Sequence, residues 1–261
     1  MIISIKTNDR TFKEENMKNK IISMILISAM VAATVLTGCG KSDTDKKSEG
    51  VMTYEEYAKA PLDSEVTIEA YIQAKQGWWE NEGVGVATLY TQDKEGAYFL
   101  YNAQCTEDVY NKLAQGTKIK ATGYKSEWSG EVEIADATIE IENGSYIAPA
   151  KDVTSLLGSD SIIDEQNKFV AFKGMKIEDA GNGKAFMYKY DDSGSQGDDL
   201  YFNASYNGST YTFTVESYLT GADTEVYKAV EALNIGETVD MEGFLYWYEG
   251  INPHITNVTV K

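Results

Sequence analysis

Two stretches of this chain carry the same glycine frame. Val109-Tyr110 is followed by Gly116, Gly123 and Gly130, and Val226-Tyr227 by Gly236, Gly243 and Gly250. Trp128 stands five residues after the middle glycine of the first set, and Tyr248 five after that of the second. In each copy the frame starts from a short helix that ends at its first glycine. A frame used twice argues for two copies of one structural unit. The length of 261 residues leaves room for two small domains.

The residues around the first frame read as strands. Glu65–Ala74 alternates, with Val66, Ile68, Ala70 and Ile72 on one face. Val84–Thr91 and Ala97–Gln104 follow, joined by the turn Asp93-Lys94-Glu95-Gly96. Thr106 caps a helix bearing Val109, Tyr110 and Leu113. Thr117–Tyr124 and Glu131–Ile141 complete a β-β-β-α-β-β order. Ahead of this set, Thr53-Tyr54-Glu55-Glu56 fits a capping box, and Pro61 bars the helix it starts. In the second copy Phe169–Ile177 is the first strand, and Leu200–Tyr206, Asn207-Gly208 and Tyr211–Leu219 read as a hairpin.

The element order and glycine spacing over residues 65–142 resemble an OB-fold, a five-stranded Greek-key barrel. The expected fold is mostly β: two tandem OB-like five-stranded Greek-key barrels, each with a short helix between strands three and four. The domains are expected at 53–147 and 148–261, with an acidic insertion at 179–199 and a connector at 151–168 that holds a possible short helix.

The N-terminus reads differently. Lys18 and Lys20 precede the uncharged run Ile21–Leu36, which ends in Leu36-Thr37-Gly38-Cys39. Its 16 residues fall short of the roughly 20 that span a bilayer, and they suit a secretory signal. The ending resembles the lipobox of bacterial lipoproteins. That resemblance implies cleavage before Cys39, a diacylglyceryl thioether on its sulfur, and attachment to the extracytoplasmic face of a bacterial membrane. Residues 1–38 are then a signal peptide, with Met17 a more natural start than Met1, and 39–52 a lipidated cysteine with a flexible tether. With Cys39 acylated, Cys105 has no disulfide partner within the chain.

Charge narrows the partners. Without residues 1–38 the chain carries 18 basic and 38 acidic residues, a balance of −20, and no arginine, since Arg10 is the single one in the full sequence. Nucleic acid needs positive charge to displace its counterions. The expectation is therefore no nucleic-acid partner.

The candidate ligand residues are aromatic. The loops after strands one and four of an OB barrel flank its ligand face. In the first copy these hold Trp78, Trp79 and Trp128; in the second, Tyr246, Trp247, Tyr248 and the single histidine, His254. The aromatics suit a glycan, a peptide or an envelope component. They equally suit closure of a barrel end or contact with the second unit. No nucleophile or metal-hydrolase motif accompanies His254. A non-enzymatic binding lipoprotein is thus the first expectation. The alternatives are an envelope-polymer hydrolase built on His254 and nearby acids, or a structural partner in a surface complex. Asp191, Asp192, Asp198 and Asp199, interleaved with glycines, could wrap Ca2+, although the spacing is not that of an EF-hand. Glu131 and Glu133 share a strand face, but acids are too abundant to single them out as a pair.

The lipobox reading has a direct check. Cys39→Ala should leave the signal uncleaved or release the protein from membranes. Unchanged partitioning of the variant into a detergent phase would defeat it.

Overall fold

The computed structural model describes residues 47–261. The signal segment, Cys39 and the tether as far as residue 46 lie outside the described residues. Residues 47–52, expected to belong to the tether, are bound to the first sheet. The Lys47 ammonium donates to Asp93 Oδ2 at 2.6 Å and to the Glu69 carbonyl at 2.8 Å, and Met52 N donates to the Thr67 carbonyl.

Helix α1, Tyr54–Lys59, has the capping box read from sequence: Thr53 Oγ1 accepts from Glu56 N, and the Glu56 carboxylate accepts from Thr53 N. Six strands make the first sheet: β1 Glu65–Lys75, β2 Trp79–Asn81, β3 Val84–Gln92, β4 Ala97–Gln104, β5 Thr117–Trp128 and β6 Glu131–Ser145. Their order is β1-β5-β6-β4-β3-β2, and a further β1–β3 pairing makes the sheet barrel-like. β4 and β6 run parallel, and the one-turn helix α2, Glu107–Tyr110, lies between β4 and β5.

Seven strands make the second sheet: β7 Lys151–Asp152, β8 Phe169–Glu178, β9 Phe186–Tyr188, β10 Leu200–Tyr206, β11 Ser209–Val215, β12 Thr238–Phe244 and β13 His254–Val260. The order is β7-β8-β12-β13-β11-β10-β9. The β8–β10 pairing closes five of these strands into a barrel. β11 and β13 are parallel, and helix α3, Glu225–Glu231, lies between β11 and β12. Apart from β7, which has no counterpart in the first sheet, the two sheets share one connectivity. They belong to one compact unit rather than to two separated ones.

Each barrel has its own core. Ile68, Ile72, Leu89, Leu100, Leu113 and Ile119 fill the first; Phe172, Phe202, Phe213, Tyr227 and Val239 fill the second. Alternation along β1 and β10 sends these side chains inward because successive residues of a strand face opposite ways.

The glycine frame has a physical reason at its first two positions. Gly116 and Gly236 take φ of 86° and 94° and donate to the Ile72 and Ile177 carbonyls at 2.7 and 2.8 Å. They close the helix turn onto β1 and β8 respectively, in a conformation that side chains resist. Gly123 and Gly243 sit at register shifts in β5–β6 and β12–β13, where a Cβ would meet the Ala135 and His254 carbonyl oxygens. These bulges bend the strands for closure.

Three segments between the main elements carry local structure. The loop after β1, which holds Trp78 and Trp79, contains the edge strand β2. The connector 151–168, read as holding a possible short helix, has two 3-10 turns, Thr154–Leu156 and Asp160–Glu165. The insertion 179–199 contributes β9, which pairs with β10.

Gly243→Ala should cost about 1–3 kcal/mol, the usual range for overpacking. Gly77→Ala, where a methyl meets open space, should stay within about 0.5 kcal/mol. Urea unfolding of both variants checks the contrast. Equal stabilities would remove close approach as the reason for the frame.

Candidate functional site

The β3–β4 face is where the first barrel was expected to take a ligand, and the second sheet covers it. Tyr90 and Phe99 are cross-strand partners on that face, and both are buried. The Tyr90 hydroxyl is hydrogen-bonded to His254 Nδ1 at 2.7 Å, and its ring lies 4.6 Å from that of Phe244. Phe99 meets Tyr246 edge-on at 5.3 Å, and Tyr246 stacks on His254 at 4.3 Å. Polar contacts surround this aromatic centre. Gln76 Nε2 donates to Glu216 Oε2 at 3.0 Å, Phe169 N to Gln92 Oε1 at 2.8 Å, and Glu249 N to the Ser129 carbonyl at 2.7 Å.

His254 is thereby a buried packing residue. Burial pushes its imidazole down to about 3, so the ring is neutral at neutral pH. Its side-chain hydrogen bond goes to a tyrosine and not to a carboxylate. The hydrolase expectation built on His254 is corrected on this ground.

The sequence-predicted aromatics divide into two groups. Trp128, at the end of β5, packs against Tyr248 at 5.1 Å, and the Trp247 indole lies over Gly130. Trp128, Tyr246, Trp247, Tyr248 and His254 therefore gather at the junction of the sheets. Trp78 and Trp79 do not join them. β1 runs antiparallel to β5, with Glu65 opposite Tyr124 and Tyr71 opposite Lys118. Trp128 thus lies beyond the start of β1, and Trp78 follows its end. Trp78 Nε1 donates to the Cys105 carbonyl at 3.0 Å beside Gly85, and Trp79 on β2 is 46% exposed. The expected trio of tryptophans at one pole does not form.

The matching face of the second sheet, β10–β11, is open. Tyr201, Asn203 and Ser205 stand opposite Thr214, Thr212 and Thr210, and of these six only Thr214 is buried. Thr212 Oγ1 donates to Asn203 Oδ1 at 2.8 Å. At one end Tyr201 is raised to about 12, by burial first and then by Asp199, Glu216, Tyr248 and Tyr190. The charged or ionisable groups that act most strongly on this phenol are thus acids and other tyrosines. Glu216 is itself pushed up to about 7 by burial and by Asp199. Tyr190 and Tyr218 stand 64% and 77% exposed in the flanking loops. Sequence reading passed over Tyr201, Glu216, Tyr90, Phe99 and Gln76. No motif marks them, and Tyr90 and Tyr201 are two of 18 tyrosines.

The acidic loop makes its own contacts. Asp191 Oδ1 accepts from Ser193 N and Oγ, Asp198 Oδ2 from Ser195 N, and Asp199 Oδ1 from Ser217 N and Oγ. Asp192 takes a positive φ of 57°. Among the described residues no group of three His, Cys, Asp or Glu side chains is placed to hold a metal ion. Cys105 is a half-buried free thiol, and burial raises its pKa.

No protein-family model matches the chain. No curated protein matches it either. Solved structures similar to it include a murine DNA-binding protein bound with double-stranded DNA, at 10% identity and a TM-score of 0.36, covering 75% of this chain and 96% of that one. The Ifi202 HINa domain in complex with 20-base-pair DNA matches at 10% identity and 0.33, covering 76% and 98%. A replication protein A heterotrimer bound to single-stranded DNA matches at 12% and 0.34, covering 81% of this chain and 52% of that one. These neighbours are DNA-bound proteins, unlike the expected glycan- or peptide-binding protein with no nucleic-acid partner, and that ligand expectation is not carried further. At these scores the DNA in those structures is a fact about those proteins and assigns no ligand to this chain.

The sequestered imidazole sets a pH dependence. The folded His254 lies below its ordinary 6.5, so the stability it allows is complete above that value and lost as pH falls towards about 3. Each pH unit in this window should remove about 1.4 kcal/mol. His254→Gln should lose that part of the acid sensitivity when urea unfolding is compared at pH 7, 5 and 4. Parallel pH profiles for wild type and variant would contradict the burial argument.

Proposed function

We propose that residues 47–261 are a pair of OB-like barrels joined into one non-enzymatic module, which takes its ligand on the β10–β11 face. Matched strand orders, the parallel β4–β6 and β11–β13 pairs and the helix between the third and fourth barrel strands support the OB reading of both halves. Because β3–β4 is spent on the interface, β10–β11 is the ligand face left open.

The observation that carries the ligand class is the setting of Tyr201. Tyrosine faces beside Asp199 and Glu216 favour an organic cation: the π-systems attract positive charge, and the carboxylates add to the field. The class is a polyamine-like chain or an alkylammonium group. Lipidation of Cys39 at the extracytoplasmic face of a membrane is a separate proposal and rests on the Leu36–Cys39 motif.

Spermine titrated into residues 47–261 by calorimetry tests this reading. Binding should be tighter at pH 8 than at pH 6, since Glu216 ionises across about 7. Tyr201→Ala should weaken it about tenfold, near the 1–2 kcal/mol of a cation–π contact. An unstructured single-stranded oligonucleotide serves as the competing probe. Oligonucleotide binding that Tyr201→Ala abolishes, with no spermine binding, would replace the cation by a nucleic acid.

A further inference from the structure

Glu131 opens β6 and is fully buried at the junction of the sheets. Its Oε2 accepts from Trp247 N at 2.9 Å and from Gln166 Nε2 at 3.3 Å. Among the described residues Oε1 has no hydrogen-bond partner, and neither has Oδ1 of the buried Asn167, a residue whose side chain interacts with this carboxyl. The Asn167 amide nitrogen donates to the Val132 carbonyl at 3.0 Å, so its oxygen end is the one left without a donor. Turning the amide over exchanges one fault for another, since Oδ1 would then face the Val132 carbonyl. Two acceptors buried without a donor destabilise the fold. One proton satisfies both.

We propose that Glu131 is a structural carboxylic acid, which keeps its proton in the folded protein and donates it from Oε1 to Asn167 Oδ1. The neutral carboxyl then works as donor and acceptor together and latches the start of β6 to the segment before β8 and to the β12–β13 loop. Its surroundings favour that state. Burial raises its pKa well above the ordinary value and Glu133 on the same strand raises it further, although the Asn167 side chain and the hydrogen bonds from Trp247 and Gln166 pull the other way. The Tyr57 phenol from α1 and the Tyr90 phenol from β3 are coupled to Glu131, and neither supplies positive charge. Lys125 of β5 spends its ammonium on the Tyr57, Ala58 and Ala60 carbonyls at 2.9–3.0 Å. Ser126 donates to Glu133.

The sign follows from the raised value. Below the ordinary carboxylate range the latch costs nothing, because the unfolded chain is protonated too. As pH rises, the unfolded state gains by ionising and the folded state does not, so stability falls.

Infrared difference spectra of residues 47–261 at pH 7 test the proton directly. Wild type and Glu133→Gln should both show the carbonyl stretch of a protonated carboxylic acid that Glu131→Gln lacks. Glutamine keeps the shape and supplies an N–H to Asn167. The melting temperature of Glu131→Gln should therefore gain on wild type as pH rises from 5 to 8, whereas Glu131→Ala should melt lower throughout. Loss of no band in Glu131→Gln, or parallel pH profiles for Glu131→Gln and wild type, would overturn the proposal. Millimolar Ca2+ or Na+ that stabilises wild type but not Glu131→Gln would overturn it as well, by showing that the two oxygens hold a metal ion.

Discussion

The hydroxyl of Tyr90 and the imidazole of His254 satisfy each other in a place water does not reach. Much of the molecule follows from that contact. A buried phenol and a buried imidazole are each expensive alone and tolerable as a pair. Phe99, Phe244 and Tyr246 then exclude solvent around them. The outcome is an interface with an aromatic centre and a polar margin of Gln76–Glu216, Gln92–Phe169 and Ser129–Glu249, the usual anatomy of a specific protein contact. Here it lies between two sheets of one chain.

This contact also decides which surfaces remain for other work. A barrel that spends its β3–β4 face on a neighbour cannot offer it to a ligand. The equivalent β10–β11 face is free, and its character is unlike that of the buried one. Hydroxyls and amides replace Tyr90 and Phe99, and acids gather around Tyr201. Two sheets of the same connectivity have thus diverged in chemistry at equivalent positions, one into an interior and the other into a surface.

Much of the architecture was legible in the sequence, and the interface was not. The glycine frame could be read because its reasons are local: a turn at Gly116 and Gly236, and a carbonyl against Gly123 and Gly243. Strand alternation could be read because inward and outward positions differ in polarity. Tyr90 and Phe99 defeat that reading, since apolar residues on both faces of β3 and β4 give no sign of which partner covers the second face. Nothing near Glu131 in sequence announces a proton donor, because its partners Asn167 and Trp247 lie in other segments of the chain. Trp78 and Trp128 illustrate the opposite error. Their residue type suggested a shared site, and the length and direction of β1 kept them apart.

The distance along the chain between Tyr90 and His254 has a consequence for how the molecule comes into being. The two residues stand 164 positions apart, and His254 opens the last strand. A ribosome delivers the first barrel complete while the chain that will cover it is still unmade. Through that interval Tyr90 and Phe99 form an uncovered aromatic surface, and Glu131 lacks both Trp247 and Asn167. A chain that ends before β12 and β13 therefore lacks the side chains that cover Tyr90 and Phe99, and this surface is completed only when the last strand is in place.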